Sequence, residues 1–444
     1  MKRHVSHTIL TRVQVTLFTI VQSVILTRIL GPEGRGLYAM LQAALALFIL
    51  FLGLGYNSGI TNYIANKRQD SKDVLGLAFW VWITGSVFLA AILVLFKYLP
   101  DIDVVFPSGY SNLFYQLYFF FSFTATAIQL SMAAALNGRQ KFAFGNLAEV
   151  STTILRTAVF VAFFLGLHFG HFNPSVQWIF AADLALVYVK TFVFAFAFFR
   201  EFGLKFNIAW LAPRGCLELF GFSFGTYFSA LIAFFYLRLD YWLIERQLGL
   251  SELGIYSVAS GLAQYMTIIP VALTTLMVPL LADGGNKNSQ STLQYFSRLN
   301  MTATGILTSF LVALAYPLIR ILYGKDFALA APLLQFLAPS FFFLSIKFLF
   351  TNFNVTRGKF RINIVGEIIG LTVGLSLNLL LLPKIGVFGA CWASLAANFA
   401  SCAYIIFKID SKETPPLKSM IFVHVADLKE LFSATFNFRS KEQT

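Results

Sequence analysis

Charge is scarce in this chain: 12% of its 444 residues are Asp, Glu, Lys or Arg, against a hydrophobic fraction of 58% and a mean hydropathy of +0.73. A soluble globular chain carries about 25% charged residues, so the deficit excludes that class and makes the bilayer the solvent. Cysteine is nearly absent too. Cys216, Cys391 and Cys402 have neither the even count of a disulfide framework nor metal-ligand spacing, so they read as small apolar packing residues with no redox function. His168 and His171 share a short outer loop but have no third ligand at suitable spacing, which disfavours a metal site. No G-x-x-x-x-G-K-[ST] segment occurs, so ATP hydrolysis by that route is excluded and energy must come from an ion gradient, membrane potential or product removal. No small-residue cleavage site follows the basic stretch Met1 to Arg12, and the apolar run continues to Leu30, so this segment is expected to be a retained first span.

What is present is a succession of apolar runs, each about 20 residues or longer, the length a helix needs to cross the hydrocarbon. The expected spans lie near 9–30, 37–60, 75–97, 113–136, 144–167 and 176–199, then 218–244, 254–281, 299–322, 332–355, 362–382 and 386–407. The fold class is therefore all-α and polytopic, with about twelve helices in two six-helix lobes, 1–200 and 217–408. A cytoplasmic amphipathic linker, 201–216, and a cytoplasmic tail, 409–444, complete the chain. A short amphipathic helix is expected within the tail at Ala426 to Phe436. With the N-terminus inside, alternate loops concentrate Lys and Arg, and the positive-inside rule places both termini in the cytoplasm. The net charge of +13 is then mostly topological, matched to anionic headgroups, and implies no nucleic acid.

The two halves repeat. Arg28-Ile29-Leu30-Gly31, followed by Gly36-Leu37-Tyr38, matches Arg246-Gln247-Leu248-Gly249, followed by Gly254-Ile255-Tyr256, each pair offset by 218 residues. Arg139, Lys141, Phe142 and Glu149 match Arg357, Lys359, Phe360 and Glu367 at the same offset. Six spans separate equivalent positions, so the halves share one orientation and are related by a pseudo-two-fold axis along the membrane normal. Alternating access, with a site between two bundles near the midplane, follows from that geometry and favours a transporter.

The run Arg28-Ile29-Leu30-Gly31-Pro32-Glu33-Gly34-Arg35-Gly36-Leu37-Tyr38 resembles the first loop of polysaccharide flippases for O-antigen and capsule repeat units. Leu239-Asp240, the stretch Leu253-Gly254-Ile255-Tyr256-Ser257-Val258-Ala259, Tyr323-Gly324 to Phe327, and Leu381-Leu382-Pro383-Lys384-Ile385-Gly386-Val387-Phe388-Gly389-Ala390 look like that family's later landmarks. The resemblance implies the fold of the multidrug/oligosaccharidyl-lipid/polysaccharide exporter superfamily. It also implies a lipid pyrophosphate-linked oligosaccharide as cargo in a bacterial plasma membrane, with membrane lipids and other polysaccharide-assembly proteins as partner candidates. It implies neither enzyme activity nor a cofactor.

Four bases fall inside spans: Arg156, Lys190, Arg238 and Lys347. Each costs about 2.5–3.5 kcal/mol at bilayer depth, so each is expected to face a partner or a wet cavity. A basic cavity would suit a pyrophosphate, which Arg grips bidentately and Lys as a point charge; pairing with carboxylates is the alternative. Asp183 and Lys190 are about 10 Å apart along one helix and cannot meet directly. Arg238 and Asp240 are two residues apart and point to nearly opposite sides. The candidate cargo-binding residues are thus Arg156, Lys347, Arg238, Asp240 and Lys190, with Arg28 and Arg246, at equivalent outer helix ends, as either snorkelling side chains or a gate. Glu149 and Glu367 are expected to pair with loop bases such as Lys141 and Lys359. An ion-coupled drug or cation exporter is the rival function, weakened by the absence of Asp or Glu at depth in spans one to three, where Gln22 stands at the repeat position of Asp240. A polysaccharide polymerase or ligase is less favoured, since the longest outer loop, near Tyr98 to Asn112, holds no nucleophile-base set.

Overall fold

Glycine and proline divide the apolar sequence into its helices. The computed structural model describes residues 2–65, 71–98, 105–107, 109–170, 175–203, 213–283, 289–409 and 417–420. In chain order the helices are α1 (Lys2–Gly53), α2 (Tyr56–Ala65), α3 (Ser71–Tyr98), α4 (Leu113–Gly138), α5 (Phe142–His168), α6 (Val176–Phe202) and α7 (Pro213–Leu248). They continue as α8 (Leu250–Gln264), α9 (Ile268–Asp283), α10 (Ser289–Ala313), α11 (Ala315–Leu322), α12 (Ala330–Thr356), α13 (Phe360–Ile385) and α14 (Val387–Lys408). No β-strand occurs among the described residues. The tail's expected amphipathic helix, most of the linker, and His171 lie outside them.

Nine helices are long and apolar enough to cross a membrane among the described residues, or ten if α10 and α11, bent by 71° at their junction, form one span. The chain is a multi-pass membrane protein. The expected count of twelve is not reached by this measure, partly because one apolar stretch, Gln14–Gly53, is 40 residues long. At 1.5 Å per residue it is about twice as long as the hydrocarbon is thick, so it holds both of the first two expected spans. They part at Gly31, whose φ of 66° and ψ of −178° leave the helical region, and Pro32 then starts the next segment.

The internal repeat is visible in backbone geometry. Gly249, offset by 218 from Gly31, also has positive φ, 90°, and separates α7 from α8. The α4–α5 and α12–α13 turns match as well. Lys141 and Lys359 precede their helices with φ/ψ of −84°/49° and −88°/47°. Each donates its amide to the carbonyl five residues back, Leu136 at 3.0 Å and Asn354 at 2.9 Å. Between them stand Gln140 (φ 58°) and Gly358 (φ 69°), so both halves use a left-handed residue at the same turn position.

The chain divides into two compact units, residues 1–254 and 255–444. The first gathers α1 to α7 and the first residues of α8. One of its cores combines Leu37, Leu41 and Phe48 of α1 with Leu89 of α3, Phe119 and Phe123 of α4, and Phe180 of α6. Phe48 and Phe119 meet edge to face at 5.6 Å, a favoured aromatic geometry. The second unit packs Met277 of α9, Phe296 of α10, Phe350 and Phe353 of α12, and Ile405 of α14. Lipid tails are as apolar as these side chains, so close packing and buried hydrogen bonds, more than water exclusion, hold such helices together. The outer faces remain greasy: Phe192 and Phe196 of α6 are 72% and 64% exposed and Phe407 of α14 is 84% exposed. Tyr98 and Trp178, at helix ends, are also exposed, as interfacial anchors are.

Candidate functional site

Four charged side chains of the first unit, Asp183 buried and the other three partly exposed, form two rungs between α5 and α6. These helices are antiparallel neighbours joined by a short connection. α5 carries Glu149 and Arg156, and α6 carries Asp183 and Lys190, so each helix has one acid and one base seven residues apart. Seven residues is nearly two turns, which returns both groups to one face. Running the helices in opposite directions then sets acid against base twice. Arg156 Nη2 bonds Asp183 Oδ1, and Lys190 Nζ meets Glu149 Oε1 at 2.8 Å.

The Arg156–Asp183 rung draws in two more helices. Arg156 Nη2 also donates to the Tyr38 hydroxyl of α1 at 2.8 Å. The Tyr118 hydroxyl of α4 donates to Asp183 Oδ2 at 2.9 Å and accepts from Gln42 Nε2 at 3.2 Å. Phe180 packs against the rings of Tyr38 and Tyr118, at 5.9 and 4.9 Å, and shields the network from one side. The Asp183 side chain is 1% exposed and that of Arg156 28%. Both carboxylate oxygens are therefore satisfied, while Arg156 Nε is buried without a hydrogen-bond partner. The arginine is the group of this network with capacity left over.

The other expected site residues fall elsewhere. Lys347 of α12 is 6% exposed in the second unit, within the electrostatic field of Glu367 on α13. Glu367, 8% exposed, leaves Oε2 without a hydrogen-bond partner. On α7, Arg238 and Asp240 converge on Tyr241. Arg238 Nη1 donates to its hydroxyl at 2.7 Å and its guanidinium lies 4.9 Å from the ring centroid, while Asp240 Oδ1 accepts the Tyr241 amide at 3.0 Å. Arg28 and Arg246 are both exposed. Arg246 lines a cleft of about 840 Å³ with Glu33, Tyr110, Glu245, Gln247 and Ser251. In that cleft the Tyr110 hydroxyl donates to Glu33 Oε1 at 2.9 Å. Desolvation, helped by this bond, pushes the phenol up to about 12, so it stays a donor at any working pH.

Two pairings differ from expectation. Glu149 pairs with Lys190 and not with Lys141, because Glu149 lies almost two turns inside α5 and faces α6. Lys141, at the helix start, meets Glu201 Oε2 at 3.2 Å instead. Glu367 likewise sits in the field of Lys347, buried between helices, not beside Lys359 at the turn. Tyr38 and Tyr118 were not among the expected site residues. Tyr38 was readable as part of the repeat, matching Tyr256, but its role needs the α1–α5 packing that no local pattern gives.

A model of the family described as polysaccharide biosynthesis protein matches residues 1–284, more than half of the chain. The chain belongs to that family. The "Putative O-antigen transporter" of Escherichia coli (strain K12) is 38% identical over 71 residues, which are 16% of this chain and 17% of that relative. The aligned stretch thus spans less than a fifth of the length of the relative. Among solved structures, the inward closed conformation of the lipid II flippase MurJ aligns with a TM-score of 0.74 at 15% identity, covering 98% of this chain and 93% of that one. An inward-facing multidrug resistance MATE family transporter of the MOP superfamily aligns with a TM-score of 0.68 at 14% identity, covering 88% and 93%. The family member described here therefore has the two-lobed helical fold of those transporters. Its scaffold repeats, but three of its intramembrane charges have no charged counterpart in the other half. The positions offset by 218 from Arg156 and Asp183 are Gly374 and Ser401, and the first-half position matching Lys347 is Gln129.

Proposed function

We propose that this family member flips a polyprenyl-pyrophosphate-linked oligosaccharide from the cytoplasmic to the outer leaflet of a bacterial plasma membrane, for assembly of a cell-surface polysaccharide. The lobes would be residues 1–200 and 217–408, joined by 201–216, with both termini cytoplasmic, moving by alternating access. The observation that carries the reading is the Arg156–Asp183 rung in a family of polysaccharide biosynthesis proteins. An arginine held by a carboxylate costs less in the bilayer than a bare one, and the exposed part of its side chain, 28%, leaves it able to meet an anion. A pyrophosphate presents the paired oxygens that a guanidinium binds best. Lys347, Lys190, Arg238 with Asp240, and the outer Arg28 and Arg246 are the further cargo-binding candidates along the path.

The rival reading, an exporter of organic cations, shares the fold of the MATE transporter. It would need a carboxylate open to a cation. In the first unit Asp183 and Glu149 are each held by a base and offer none, which leaves Glu367 of the second unit as the carboxylate such an exporter would have to use.

Binding tests the proposal without transport. In detergent, a short polyprenyl pyrophosphate should raise the thermal denaturation midpoint of the intact protein, whereas the matching polyprenol should not. Arg156→Lys keeps the charge and loses the planar fork, so it should weaken the stabilisation about tenfold in ligand concentration. Equal stabilisation by the polyprenol, or no loss in Arg156→Lys, would remove the pyrophosphate-gripping role of Arg156.

A further inference from the structure

Two glycines of the first unit come closer to each other's helix than any side chain permits. A methyl group at Gly36 would lie 2.8 Å from the carbonyl carbon of Leu250, with its oxygen nearer still, and 3.1 Å from the Gly254 amide nitrogen. A methyl at Gly254 would lie 2.8 Å from the carbonyl carbon of Pro32, with its oxygen again nearer, and 3.0 Å from the Gly36 nitrogen. Every obstacle is backbone, which cannot rotate aside as a side chain can.

The contact is also reciprocal. Gly254 stands at the position offset by 218 from Gly36, and Leu250 at the same offset from Pro32. Each glycine thus meets the residue that is the other's own neighbour in the repeat. Self-complementary contacts of this kind form where a two-fold relation passes through a seam. Each glycine also follows, by five residues, a glycine with positive φ, Gly31 and Gly249, where the chain changes direction. The loop sequence therefore does two things: it breaks the helix, and one turn later it clears the helix surface for its counterpart.

We infer that the Gly36–Gly254 contact is the outer seam of the transporter, closed here backbone to backbone, and that cargo leaves when it parts. This rests on the alternating-access reading and orientation proposed above. A seam without side chains suits that task, because parting it breaks no side-chain ion pair. The cleft lined by Glu33, Arg246 and Leu250 adjoins it, so an opening seam would lead into a polar recess.

The test reads accessibility, which needs no cargo. Ala39, 8% exposed and three residues beyond Gly36, takes a cysteine with little added volume. In proteoliposomes, Ala39→Cys is labelled by a membrane-impermeant maleimide, with the parent protein as background. Adding Gly36→Ala or Gly254→Ala should raise the labelling rate at least about fivefold, because a state in which the seam is shut no longer fits the methyl group. Unchanged labelling in variants that elute like the parent overturns the inference. Should both variants fail to insert, Glu33→Cys with Ser251→Cys, which line the same cleft, can be bridged by a short bifunctional maleimide in a chain with both glycines intact. Bridging should then abolish flipping while a monofunctional maleimide does not, and a bridged protein that flips at the parent rate also overturns it. Flipping with unchanged labelling would sink the seam alone. Faster labelling without saccharide flipping would leave the seam and remove the cargo.

Discussion

Arg156→Ala should cost about 3–5 kcal/mol of stability, read as a lowered denaturation midpoint in detergent. The loss comes less from the missing bond than from Asp183, which would stay 1% exposed and keep its bond from the Tyr118 hydroxyl but no base. Asp183→Leu should be nearly as damaging, since it strands a guanidinium between α5 and α6. The pair Arg156→Met with Asp183→Leu removes both charges and fills the volume, and should recover most of the loss, because buried ion pairs exchange for apolar residues at little net cost. Additive losses in the double variant would show that the two side chains do not depend on each other. This series also changes how transport data must be read. Loss of activity in Arg156→Ala alone would not separate a cargo role from a damaged bundle, whereas a stable double variant that fails to bind pyrophosphate would.

The same logic applies to Lys347, with a second comparison available inside the molecule. Lys347→Met should destabilise, because Glu367 then loses the opposite charge nearest it while its Oε2 already lacks a partner. Adding Glu367→Gln should restore most of it. The first half holds Gln129 at the position of Lys347, buried at 8%, so the scaffold tolerates an uncharged side chain there. Unfolding midpoints of the two single variants and the double variant form a double-mutant cycle. Coupling near zero would mean that Lys347 draws its stabilisation from elsewhere and would remove Glu367 from this account.

Local chemistry was legible in the sequence. Gly31 with Pro32, and the bases at 139–141 and 357–359, fix turns through the conformations open to those residues, and the structure repeats their dihedrals in both halves. The spacing of Asp183 and Lys190 also showed correctly that they could not serve each other. What it did not show was the partner helix. Glu149 and Arg156 have the same seven-residue spacing with the signs arranged so that antiparallel helices pair twice, a signal present in the sequence but meaningful once α5 and α6 are known to be neighbours. Helix rotation decided the rest. Glu149 and Glu367, near helix ends in the sequence, turn inward to neighbouring helices because lipid offers no other partner for a carboxylate. Pairing with carboxylates, the alternative to a basic cavity, is realised for two of the bases: Arg156 meets Asp183 and Lys190 meets Glu149.

The central claim is transport of a lipid-linked saccharide, and reconstitution tests it most directly. Proteoliposomes carrying a polyprenyl-pyrophosphate oligosaccharide in both leaflets would be probed with an impermeant reagent that modifies the sugar. The account predicts that the intact protein makes the inner-leaflet pool reactive and that Arg156→Met with Asp183→Leu, though stably inserted, does not. An intact protein that leaves that pool protected while it drives efflux of organic cations would contradict it.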